Sequence, residues 1–168
     1  YEVLDATTTI EQPDDPVLEV ADGSIDFDHV GFSYKGDKSH EALREVDLHI
    51  KSGEVIGVIG STGSAKSTLV QLIPRLYDVT EGSVKVGGRD VREYDLETLR
   101  NSVAMVLQKN VLFSGTIKEN LRWGNPDATY DELVEVCKLA QADEFIQGLP
   151  KQYDYYIEQG GTNVSGGQ

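Results

Sequence analysis

The chain has 168 residues, 39% of them hydrophobic, and a formal net charge of −14. That length and apolar content suffice for one domain with a real core, while no run approaches the roughly 18 consecutive apolar residues a membrane helix needs. The acidic balance excludes the basic surface that a phosphate backbone demands, so no nucleic-acid partner is expected and the charge reads as a solvated acidic face.

The chain opens on Tyr1 rather than methionine and carries no basic-then-apolar targeting segment, so it is expected to be a piece of a longer protein. Residues 1–22 are acidic and turn-rich, with Pro13-Asp14-Asp15-Pro16 at their centre, which reads as an extended linker. From Ile25 the pattern becomes alternating: Ile25 and Phe27, then Val30, Phe32 and Tyr34, with a break in register near His29. Leu43, Val46, Leu48 and Ile50 continue the alternation, predicting strands of a sheet with one covered face. After the turn Lys51-Ser52-Gly53, Glu54 to Ile59 is a continuous apolar run expected to be a buried strand. A loop follows, and then a helix predicted over Lys66 to Leu76, with Pro74 near its end.

Farther on, Gly82 to Val86 predicts a strand that turns at Gly87-Gly88. Asp95 is placed to cap a short helix through Arg100, and Val103 to Leu107 reads as a second buried strand. Thr116 with Glu119, and Thr129 with Glu132, are capping boxes opening two helices, the first through Arg122. The second carries Leu133, Val136, Cys137 and Ala140 at helical spacing, which puts the single cysteine on the buried stripe as a core thiol rather than a catalytic one. One cysteine excludes an internal disulfide and suits a reducing compartment.

The chemistry sits in the loop Gly60-Ser61-Thr62-Gly63-Ser64-Ala65-Lys66-Ser67-Thr68. Successive main-chain N–H groups in such a turn converge on an anion, and the following helix adds its positive end. Lys66 is placed to reach terminal phosphates, and Ser67 to offer a hydroxyl to Mg²⁺. The plain alternative is a glycine-rich turn with a solvated lysine, though a cation at a helix start opposes the dipole unless an anion balances it. Ala65 stands where the pattern asks for glycine, and its methyl is expected to crowd the β-phosphate and weaken, without abolishing, nucleotide affinity.

Two further landmarks narrow the reading. The strand expected to end at Leu107 runs into Gln108, and LFSGTIKENL follows over residues 112–121; the chain closes on Asn163-Val164-Ser165-Gly166-Gly167-Gln168. In that order these features resemble the nucleotide-binding domain of ABC transporters, the exporter branch in particular, over essentially the whole chain. A P-loop GTPase or small kinase would leave Gln108 and Ser165 to Gln168 without a role. The resemblance implies an α/β P-loop NTPase fold of the ABC type, with an N-terminal antiparallel β-subdomain, a helical subdomain and an incomplete C-terminal core. Residues 1–22 would link to a membrane domain. Residues 23–168 would form a partial ATP-binding domain, its P-loop core and β-subdomain over 23–108 and its helical subdomain over 109–168.

It also implies roles. Tyr34 matches the aromatic that stacks on adenine, and Gln108 the glutamine that serves Mg²⁺ and the attacking water. Ser165 with Gln168 forms a capping box, and with Gly166 and Gly167 it would meet the γ-phosphate of ATP held by a second nucleotide-binding domain. Tyr153 to Thr162 lie where exporters touch the coupling helices of the membrane domain. ATP and Mg²⁺ are the cofactors so implied, at the cytoplasmic face of a membrane. The aspartate and catalytic base expected after the signature are not in the chain, and His29, His40 and His49 all precede the P-loop. The 168 residues alone are therefore not expected to complete hydrolysis. Two alternatives stand beside the exporter motor: a degenerate regulatory half of a heterodimer, suggested by Ala65, and a soluble ABC ATPase.

Overall fold

The computed structural model describes residues 8–107 and 111–164. The chain divides into two compact units between Met105 and Val106.

The first unit is built on a four-stranded antiparallel sheet of order β2-β1-β3-β4, with β1 Ile25–Phe32, β2 Leu43–Ile50, β3 Glu81–Val86 and β4 Arg89–Asp90. Alternation turns Phe27, Val84 and Val86 to one face, where Leu72, Val91, Tyr94 and Leu99 complete the core. The break expected near His29 is a bulge. Pairing shifts register between Phe27 and Val30, His29 takes φ 46°, and Val30 returns to the buried face. Gly82 makes this possible from the neighbouring strand. Its φ is +73°, and a Cβ there would sit 2.2 Å from the Asp28 carbonyl oxygen.

Residues 8–22 run along this unit. Val17 donates its N–H to Glu93 O at 2.8 Å and accepts from Asp95 N–H at 3.0 Å. Val17 and Val20 also pack on the core. Asp95 caps helix α2 (Leu96–Asn101) by accepting from Thr98 N–H at 2.8 Å, while the Gln12 carboxamide accepts from Leu96 N–H at 3.1 Å and donates to Asp95.

Helix α1 covers Lys66–Leu72, shorter than the Lys66 to Leu76 the sequence predicts. Arg75 adopts a left-handed conformation (φ 51°), and its N–H bonds Leu72 O while Leu76 N–H bonds Gln71 O. This is the Schellman arrangement that ends helices, with arginine in the position glycine usually fills. Arg100 reinforces the end, donating to Pro74 O at 3.3 Å and to Arg75 O at 3.0 Å.

The two continuous apolar runs correct the sequence reading. Glu54 to Ile59 and Val103 to Leu107 form no ladder among the described residues. Val55 is 94% exposed, Ile59 99% and Val106 91%. A run apolar on both faces is stable as a strand only between two pairing neighbours under cover. The sheet formed here takes in neither segment.

The second unit joins strands β5 (Gly115–Thr116) and β6 (Tyr156–Ile157) in an antiparallel pair and packs helices α3 (Ile117–Leu121), α4 (Tyr130–Leu139) and α5 (Asp143–Gln147) around Ile117, Cys137, Ile146, Tyr153 and Ile157. Both capping boxes form: Thr116 and Glu119 at α3, Thr129 and Glu132 at α4. Cys137 is buried with Leu133, whereas Val136 and Ala140 face solvent, so the covered stripe of α4 is narrower than its spacing suggests. Burial pushes the Cys137 thiol up, which keeps it an inert core group. Burial also raises the Tyr153 hydroxyl, which donates to Asp143 at 2.7 Å.

Candidate nucleotide site

The loop between the apolar run and α1 is shaped by two left-handed residues. Gly63 has φ +83° and Ala65 φ +57°, ψ 19°. A turn bond from Ser64 N–H to Ser61 O (3.2 Å) folds the segment back, and Leu69 N–H to Ala65 O (3.0 Å) starts the helix. Glycine adopts positive φ without a steric penalty. An L-residue pays roughly 1–2 kcal/mol for it, so the main-chain conformation explains why the pattern asks for glycine at 65.

No side chain caps α1 at Ala65. The first N–H groups of the helix are the orphan donors to which an anion binds. Lys66 lies in the same turn, and its ammonium donates to Gly60 O at 2.7 Å, Ser61 O at 2.8 Å and Ser64 Oγ at 3.0 Å. Among the described residues, the ammonium is thus held at the mouth of the loop by neutral acceptors alone. Gly60 is pressed against this arrangement, since a Cβ there would lie 2.5 Å from Ser64 Oγ. Ser67, the next residue, is exposed. Uncapped N–H donors, a cation and a free hydroxyl within eight residues make a donor set that fits a polyphosphate with a divalent cation.

An aromatic group stands on the same unit. Tyr34, just after β1, meets Phe32 edge-on at 4.8 Å between ring centres and Tyr77 at 5.2 Å. Its hydroxyl lies 2.9 Å from Thr68 Oγ1 on α1. Tyr34, Gly60 to Ala65, Lys66, Ser67 and Thr68 therefore all belong to the first unit, with a direct bond from Tyr34 to the loop's helix. Tyr77 escaped the sequence reading: it follows α1 and has no spacing relation to Tyr34. Gln108 and Ser165, Gly166, Gly167 and Gln168 lie outside the described residues.

The sequence pattern of the ABC transporter family matches residues 43–168. Putative multidrug export ATP-binding/permease proteins of Staphylococcus aureus are 43% identical over 151 residues, covering 90% of this chain and 26% of theirs. The corresponding protein YgaD of Bacillus subtilis is 46% identical over 146 residues, covering 87% of this chain and 25% of its own length. The chain thus spans about a quarter of these relatives. Among solved structures, a bacterial Atm1-family ABC exporter with ATP bound superposes with a TM-score of 0.91 at 32% identity, over 99% of this chain and 29% of that one. With a phosphate-type loop, an antiparallel sheet and these relatives in agreement, the chain belongs to the ABC transporter family, as an ATP-binding domain of the exporter type.

Proposed function

We propose that Gly60 to Thr68 cradle the phosphates of ATP and that Tyr34 stacks on its base, in the motor of a membrane exporter. The observation that carries the reading is the Lys66 ammonium, held by three neutral oxygens beside an uncapped helix start. In this reading the phosphate oxygens replace the neutral acceptors, and pairing the ammonium with an anion exceeds the bonds to neutral oxygens that it gives up. Ser67, with Gln108, would hold Mg²⁺, which supplies charge neutralisation at the phosphates. Ser165 to Gln168 would complete the site of a second nucleotide-binding domain, so that nucleotide joins two domains and hydrolysis parts them. Residues 1–22 would connect to a membrane domain, and Tyr153 to Thr162 would meet its coupling helices at the cytoplasmic face. The relatives' description as ATP-binding/permease proteins supports these assignments by analogy.

The test is an equilibrium titration of the full-length protein with MgATP, wild type against Lys66→Ala. Loss of the charged donor is expected to weaken binding at least about tenfold; equal dissociation constants would refute the site. A second reading, a half with low turnover, is favoured by one observation: the left-handed conformation imposed on Ala65. An ATPase assay of the full-length protein, alone and with any partner, separates the two.

A further inference from the structure

The hydroxyls of Tyr34 and Thr68 are 34 positions apart in sequence and 2.9 Å apart in space. Thr68 is the third residue of α1, only 6% exposed, in the turn that also carries Lys66 and Ser67. Tyr34 is 56% exposed, yet its ring is fixed at three points: the Thr68 hydroxyl at its tip, Phe32 at 81° and Tyr77 at 89°.

We infer that Thr68 is a positioning residue whose hydroxyl holds the Tyr34 ring as a preset platform for a flat base, so that the base and phosphate ends of the site form one unit. The inference rests on the reading that nucleotide binds at this loop. A free tyrosine would have to freeze its rotamers each time a base stacked on it, and that ordering reduces affinity. With the tether in place, the ordering is built into the fold. Phe32 and Tyr77 still restrain the ring when the hydroxyl is removed, so the loss is partial. The cost of ordering one side chain corresponds to about fivefold in affinity. The opposite role is also well defined. If the bond were a latch that closes the site, removing it would tighten binding.

The experiment compares MgATP with magnesium tripolyphosphate, which has the phosphates but no base, on the full-length protein. Wild type is expected to prefer MgATP. Tyr34→Phe keeps the stacking ring and removes only the tether; it is expected to lower that preference about fivefold and leave tripolyphosphate binding unchanged. Thr68→Val should lower the preference equally, Thr68→Ser should restore it, and Tyr34→Phe with Thr68→Val together should lower it no further. An unchanged or larger preference in Tyr34→Phe overturns the tether. A wild type that binds both probes equally, or neither, overturns the nucleotide reading itself and the tether with it.

Discussion

Two apolar stretches of the first unit have opposite fates. Ile25–Phe32 alternates, pairs with β2 and β3, and buries Phe27, Val30 and Phe32. Glu54 to Ile59, more continuously apolar, joins no ladder among the described residues, with Val55 and Ile59 almost fully exposed. Hydrophobicity is the same driving force in both; what differs is the supply of hydrogen-bonding neighbours. β1 finds one partner in the next strand, β2, and a second in the distant β3, whereas a strand buried on both faces needs a covered neighbour on each side and Glu54 to Ile59 gains neither among the described residues.

The largest effect expected from this contrast is at Phe27. Phe27→Ala leaves a cavity in a filled core and should cost about 3–5 kcal/mol, read as a lowered denaturation midpoint. Ile59→Ser should change stability by less than about 0.5 kcal/mol while reducing self-association of the 168-residue chain, because it removes exposed apolar area from an unpaired run. A chain that is monodisperse before the substitution, or a large stability loss at Ile59, would break the comparison.

A middle-sized effect belongs to the caps. Thr129→Ala removes half of a capping box and should cost about 1 kcal/mol by denaturant titration. The carboxylates in these caps give a pH signature. Glu132 and Glu119 are held below the usual carboxylate range chiefly by accepting a backbone N–H, from Thr129 and Thr116, and Asp95 likewise from Thr98. Folded values below unfolded ones mean that this stability is complete above the ordinary carboxylate range, about pH 4. It is lost as pH falls through the depressed folded values. Glu132→Gln should flatten that acid limb; an unchanged limb would show that the box does not bind the ionised form preferentially.

A further small effect has the opposite sign. Ala65→Gly relieves a left-handed alanine and should stabilise the fold by about 0.5–1 kcal/mol, net of glycine's extra entropy. It should also tighten MgATP binding, because it removes the methyl expected from the sequence to crowd the β-phosphate. A raised melting temperature with an unchanged dissociation constant would mean that the strain is equal in both states.

These residues also mark what was legible beforehand. Caps at Asp95, Thr116 and Thr129 are bonds within four residues, reciprocal at the two threonines, so the sequence displays both partners side by side. The bulge was visible because a one-residue insertion flips the alternation at His29. The loop at Gly60 to Thr68 was visible for the same local reason. The unpaired state of Glu54 to Ile59 was not, since pairing depends on distant segments. The early end of α1 was hidden by an arginine in a position that glycine normally advertises. Contacts of Tyr34 with Thr68 and Tyr77 arise only once the sheet has folded beside the helix.

The central claim is that nucleotide settles on the loop before α1. Hydrogen exchange of the full-length protein with and without MgATP measures this segment by segment. The account predicts slowed exchange across residues 60–68, with β1 already protected and unchanged; MgATP protection elsewhere, with none at 60–68, would contradict it.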